Sequence, residues 1–175
     1  RFSSVKHQMK LIKIFDLLLS KNRFKKKIIL ELVGYGENYN KCKNYAKKLK
    51  IEKNIIFKKS LRFDQLEKWY SSLDLYCHLS KDEAMSTAIL YALAYGKLVL
   101  ATKNNGNFFL LSKKKGKNAL LVEGDDCNKY VCTIKKIIQN KNNYKKIAVN
   151  GLYLYQKKFT DKIMFNNYLN LFFAK

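Results

Sequence analysis

Apolar residues recur along this chain in two rhythms, and their alternation sets the expected architecture. Residues 74–79 and 97–102 are short apolar runs with the length and β-branched character of buried strands. Between them, Ala88, Ile89, Ala92 and Leu93 repeat at helical spacing, with Ser86 or Thr87 as N-cap candidates and Gly96 as the stop. Residues 74–102 therefore predict strand, loop, helix, strand. Near the start, Val5, Met9, Ile12, Phe15 and Leu19 predict an amphipathic helix that buries those five positions. From Asn128 onward the pattern is helical. Val131, Ile134, Ile137 and Ile138 mark one buried face, and Ile163, Tyr168, Leu169 and Phe172 another.

This alternation predicts an α/β fold with a Rossmann-like, doubly wound parallel sheet and a ligand site outside the carboxyl ends of its strands. A length of 175 residues suits one domain, residues 1–175, with a sizeable core. No internal repeat and no Pro/Ser-rich linker divides it.

One acid falls where such a fold places its ligand. Glu83 lies in the turn just before the helix that starts near Ser86. A helix start presents unpartnered amide N–H groups and the positive end of the helix dipole, which together hold a phosphate without a basic side chain. A carboxylate beside it accepts hydrogen bonds from sugar hydroxyls. On local chemistry alone, a solvated loop acid beside an ordinary cap is the favoured reading of Glu83.

The pattern Ser80, two residues, Glu83, a short loop, then an apolar helix ending Ala94-x-Gly96-Lys97-x-Val99 resembles the donor-site signature of retaining GT-B glycosyltransferases, particularly glycosyltransferase family 4. Other segments fall in that family's order. Arg1 to His7 resembles its Arg, short loop, Lys segment, and residues 28–36 resemble its strand ending Val-Gly-x-Gly at Gly34 and Gly36. Residues 54–58, 63–70 and 74–79 resemble its strand, short helix and strand, and residues 116–122 its Asn/Gly turn and edge strand. The resemblance covers essentially the whole chain, as the carboxyl-terminal, donor-binding half of a two-domain enzyme. It implies an acceptor-binding half and one further strand ahead of Arg1.

What the resemblance implies for the site is specific. Glu83 matches the acid beside the transferred sugar and serves as the catalytic, sugar-orienting group. Arg1 and Lys6, with the helix start at Ser86 and Thr87, hold the donor diphosphate, and Gly34 and Gly36 lie at the nucleotide. The family's second acid, which binds the ribose hydroxyls, falls at Tyr91, whose single hydroxyl does not reproduce bidentate acceptance. That departure weakens nucleotide recognition more than the sugar site. The implied partners are a nucleotide-diphosphate sugar and a glycan or lipid-linked saccharide acceptor of surface polysaccharide or lipopolysaccharide synthesis. No metal or other cofactor is required, because two cations and a helix start already supply positive potential.

Charge adds one consideration. The net charge is +23, from 36 Lys and Arg against 13 Asp and Glu, a balance that attracts anionic lipid, polyphosphate or nucleic acid. Zero Pro beside abundant Lys, Asn, Ile, Phe and Tyr equally reflects a biased genome. Lys25 to Lys27, Lys47 with Lys48, and Lys113 to Lys115 read as solvated faces. No aromatic RNA-binding motif accompanies them, so nucleic acid is not an expected partner. The basic, aromatic stretch from Lys157 to Phe173 suits peripheral contact with an anionic membrane, although packing within the core or between domains is favoured.

No run is long enough to span a bilayer, and the expected location is cytoplasmic. Cys42, Cys77, Cys127 and Cys132 lack metal-site spacing and read as reduced thiols. His78, at a strand end near Glu83, reads as structural. Nucleophile-elbow and Walker motifs are absent. Two other classes stay open: a non-catalytic sugar-nucleotide binder, favoured by Tyr91, and a basic membrane or nucleic-acid module, favoured by charge.

Overall fold

The computed structural model describes residues 1–22, 24, 26–112 and 117–173, so Lys25, the Lys113 to Lys115 run and Gly116 lie outside the described residues. Its elements alternate. A 3₁₀ turn at Ser4–Lys6 leads into α1 (Gln8–Ser20), followed by β1 (Leu30–Val33), α2 (Tyr39–Lys48), β2 (Ile55–Lys58), α3 (Phe63–Ser72) and β3 (Tyr76–His78). Then come α4 (Thr87–Ala94), β4 (Val99–Thr102), α5 (Asn105–Leu111), β5 (Leu120–Val122), α6 (Cys127–Gln139), α7 (Lys141–Lys158) and α8 (Asp161–Phe173).

Among the described residues, β1 to β5 pair in parallel, as strands joined through helices require. They form two ladders. β1 pairs with β2 from Leu30 opposite Ile55 to Val33 opposite Lys58. β4 lies between β3 and β5, with His78 opposite Ala101 and Thr102 opposite Val122. The amino-terminal segment stitches the two ladders at their carboxyl ends: Phe2 N–H donates to Tyr35 O at 2.7 Å beyond β1, and Lys81 N–H donates to Val5 O at 2.9 Å beyond β3.

Helices cover both faces, the doubly wound arrangement the alternation predicts. α1, α2 and α6 supply one apolar layer, where Leu32 and Leu100 join Ile12, Phe15 and Tyr130. α4, α5 and α7 supply the other, where Val99 and Ala101 meet Ile89, Leu93 and Leu154. Side chains alternate along a strand, so β4 feeds both layers, and Val99, Leu100 and Ala101 are all fully buried. Removing a Val or Leu side chain from water contributes roughly 1.5–3 kcal/mol each. Gly96 ends α4 as expected, at φ 62°, while Gly96 N–H donates to Leu93 O and Lys97 N–H to Ala92 O, the two bonds of a Schellman cap.

Three expected helical faces differ in the structure. Along α1 the buried set is Leu11, Ile12, Ile14, Phe15 and Leu18, whereas Val5 and Met9 are exposed. The 3₁₀ turn and His7, in the left-handed region at φ 50°, break the helix before Gln8, so Val5 does not share the phase of α1. Along α8 no residue is buried: Tyr168, Leu169 and Phe172 are exposed. Among the elements α8 packs chiefly on α7, which leaves an open cleft of about 410 Å³ between α8 and Met85, Leu90 and Phe159. On α6, Ile138 is exposed and Tyr130 is buried with Val131, Ile134 and Ile137.

Candidate functional site

The loop from Ser80 to Ser86 carries the acid. It leaves β3 through two buried residues, Leu79 and Ser80, and re-enters secondary structure at the buried Ser86, the N-cap residue of α4. Two elements converge on the carboxylate of Glu83 between these anchors. The 3₁₀ turn projects Lys6, whose Nζ forms an ion pair with Glu83 Oε2. The end of β3 projects His78, whose Nε2 stands 3.0 Å from the same oxygen. Glu83 Oε1 has no hydrogen-bond partner among the described residues.

Electrostatics fix the protonation states. Burial lowers the His78 pKa from its ordinary value, and the Lys6 charge adds to the effect, while the hydrogen bond to the Glu83 carboxylate opposes it. His78 is therefore neutral near pH 7, and its Nε2–H donates to the carboxylate. Burial pushes Glu83 upward, but the bonds to Lys6 and His78 outweigh it, and the net shift is down. The result is an ionised, half-enclosed carboxylate with one oxygen doubly held and the other available.

Beside it, α4 begins without acidic residues in its first turn and without a side-chain cap bond from Ser86. Ser86 O accepts from Ile89 N–H and Leu90 N–H, both at 3.1 Å, which leaves the Thr87 and Ala88 amides outside the intrahelical ladder. Lys6, one residue before the left-handed His7, keeps an ammonium with three donors, of which Glu83 uses one.

Arg1 and the two glycines form the neighbouring edge. Gly34 and Gly36 adopt φ of 134° and 145°, backbone that favours glycine. A methyl group on Gly36 would overlap the Phe2 carbonyl oxygen and stand 2.9 Å from the Phe2 nitrogen. These glycines thus admit the main chain of the amino-terminal segment, and Arg1, exposed, sits over Gly34. Tyr91 stands apart from the Glu83 cluster. Its ring stacks on Tyr70 at 5.8 Å and is partly exposed.

The structure brings Lys6 and Glu83 together, and adds His78, which the sequence places nearby but reads as structural. Asn104 and Gly106 carry no sequence signal beyond the Asn-Asn-Gly run that opens α5, a pattern that by itself suggests a turn. Asn104 Nδ2 donates to Ser80 O at 3.3 Å and to Ser80 Oγ at 3.2 Å, tying the acidic loop to the end of β4.

The family model for Glycosyl transferases group 1 matches residues 1–152. The chain belongs to that family. An uncharacterized glycosyltransferase of Methanocaldococcus jannaschii is 28% identical over 149 residues, 85% of this chain and 37% of that protein. Among solved structures, Anabaena HepE in complex with UDP-glucose matches with a TM-score of 0.78 at 22% identity, over 91% of this chain and 43% of the other. The carboxyl-terminal domain of a glycosyl transferase group 1 family protein, LpcC, from Francisella tularensis matches with a TM-score of 0.77 at 22% identity, over 92% and 83%. The fold is thus the Rossmann-like carboxyl-terminal half of a GT-B arrangement. This member of the family spans well under half the length of the curated relative and of HepE.

Proposed function

We propose that this chain, as one domain over residues 1–175, is the donor-binding half of a retaining glycosyltransferase that moves a sugar from a nucleotide diphosphate to a glycan or lipid-linked saccharide. The observation that carries the reading is the convergence of Lys6 and His78 on Glu83 Oε2, beside the open start of α4. HepE, bound to UDP-glucose, makes a nucleoside-diphosphate hexose the donor class to test.

In this reading Glu83 Oε1 accepts hydroxyl hydrogens of the transferred sugar while His78 and Lys6 hold Oε2. Breaking the bond from the anomeric carbon to the diphosphate leaves an extra negative charge on the departing oxygen. Arg1, the remaining Lys6 donors and the amides near Ser86 and Thr87 stabilise that charge where it develops. Because Glu83 is ionised and pinned, it orients the sugar and does not protonate the leaving group. Gly34, Gly36 and Tyr91 line the nucleotide side, and no metal ion or other cofactor is assigned a role. The working location is the cytoplasm, with the basic surface and exposed α8 in peripheral contact with an anionic membrane that presents the acceptor. Surface polysaccharide or lipopolysaccharide synthesis is the setting this reading favours.

Calorimetric titration with UDP, GDP and UDP-glucose tests it, comparing wild type with Lys6→Ala and Glu83→Ala. Lys6→Ala is expected to weaken UDP about tenfold or more, the loss of one charge-assisted hydrogen bond. Glu83→Ala is expected to abolish the extra affinity of UDP-glucose over UDP. Unchanged affinities in both variants would overturn the site. The position of Tyr91 favours a second reading, a sugar-nucleotide binder without transfer; wild-type donor binding with no transfer by the natural protein would select it.

A further inference from the structure

The start of α5 grips the acidic loop at two points. Asn104, which caps α5 by accepting from Asn107 N–H at 2.8 Å, also donates from Nδ2 to Ser80, where the loop leaves β3. Two residues on, Gly106 packs against the middle of the same loop. A methyl group on Gly106 would overlap the Glu83 carbonyl oxygen and stand 2.6 Å from the Ala84 carbonyl oxygen. Both obstacles are main-chain atoms, so no rotation of a side chain relieves them. The backbone of Gly106 is helical and ordinary, so glycine is required there by contact and not by conformation.

We propose that Gly106 is a positioning residue for Glu83: its missing side chain lets the first turn of α5 seat the loop so that the carboxylate meets Lys6 and His78 together. The inference builds on the reading of Glu83 as the sugar-orienting group, but its first consequence is visible without a donor. Lys6 and His78 come from different elements and meet one oxygen, so the carboxylate has a single position that satisfies both. A loop displaced to admit a methyl group leaves that position, because hydrogen bonds weaken steeply with distance and angle. Asn104 holds the other end of the loop at the buried Ser80, so the loop does not yield by sliding as a unit.

Histidine-selective NMR titration of the intact chain tests this. In Gly106→Ala, with folding confirmed by circular dichroism, the His78 titration is expected to move to lower pH, as in Glu83→Gln, because His78 loses the carboxylate that raises its pKa. The gain in affinity of UDP-glucose over UDP is expected to fall about tenfold, with UDP itself within about twofold of wild type. Phe109→Ala, on the exposed side of the same helix, is expected to change neither. Asn104→Ser keeps a capping acceptor, loses the amide that reaches Ser80 and adds no atom, so it reports the same displacement if Gly106→Ala does not fold. A folded Gly106→Ala or Asn104→Ser with the wild-type His78 titration overturns the proposal. Failure of wild-type chain to bind UDP-glucose would instead sink the donor-site reading, and the His78 comparison would still decide the role of Gly106.

Discussion

Gly36 lies against Phe2 with no room for a β-carbon, and it does so at a φ of 145°. Gly96, also at positive φ, has space for one: a β-carbon there would meet only a Leu152 methyl, at an ordinary contact distance of 3.7 Å. The two glycines therefore separate steric from conformational cost. Gly96→Ala is expected to lose about 1 kcal/mol, the left-handed penalty of a helix terminus. Gly36→Ala is expected to lose about 3 kcal/mol or more, because overpacking against main chain adds to backbone strain. Urea unfolding of the two variants measures the difference, and equal losses would contradict it.

Acid is expected to weaken the fold through the site. His78 and Glu83 both have native pKa values below their ordinary 6.5 and 4.5. A group depressed in the native state binds fewer protons there than in the unfolded chain, so stability rises with pH across the interval between the two values. The His78 contribution is present above 6.5 and is lost as pH falls through its native pKa; that of Glu83 is present above 4.5 and is lost below it. Urea midpoints are expected to fall on acidification below about pH 6.5, and His78→Asn to flatten the first part of the decline. A midpoint that rises on acidification over this interval would reverse the assigned sign.

Thiol reactivity is expected to follow burial. Cys132 is exposed, whereas burial raises the Cys42 thiol to about 11 and the Cys77 thiol to about 12. Thiolate is the reactive form, so a thiol-specific reagent at neutral pH should label Cys132 early and leave Cys42 and Cys77 silent until the chain unfolds. Peptide mapping after a timed reaction checks the order, and early labelling of Cys77 would mean that β3 opens.

Tyr91 offers a gain-of-binding experiment. Replacing it with Glu supplies the carboxylate that the family resemblance implies for ribose hydroxyls, and removes a ring stacked on Tyr70. UDP affinity is expected to rise about tenfold while stability falls by about 1 kcal/mol, the worth of an aromatic pair. Calorimetry and urea unfolding of the same variant read both, and unchanged UDP affinity would detach position 91 from the ribose.

The parts of the fold that were legible in the sequence are those where several local signals agreed. In α4, the apolar stripe, Ser86 ahead of it and Gly96 behind it all agreed, and Ile89, Ala92 and Leu93 are fully buried. α2 escaped because only Cys42 and Ala46, four residues apart, are buried in a helix otherwise made of Lys, Asn and Tyr. α8 shows the opposite failure: its apolar residues promised a core face, but burial depends on what an element packs against, and here that is little more than α7. At the site, Lys6 and Glu83 were legible through a motif, while the contact of Glu83 with His78 needed the turn geometry of the loop. The grip of Asn104 and Gly106 depends on a crossing of main chains, which no local pattern encodes.

The full enclosure of β4 reaches beyond packing. Amides of Leu100 and Ala101, shielded from both faces and bonded to a neighbour on each side, are the ones expected to exchange with solvent most slowly, through global unfolding alone. The acidic loop hangs from that strand through the tie from Asn104 to Ser80, so the Glu83 carboxylate is moored to the least fluctuating piece of the molecule. The amino-terminal turn shares that mooring, because Lys81 N–H donates to Val5 O and Lys6 pairs with Glu83, so the acid and its cation meet a ligand as one unit assembled beforehand.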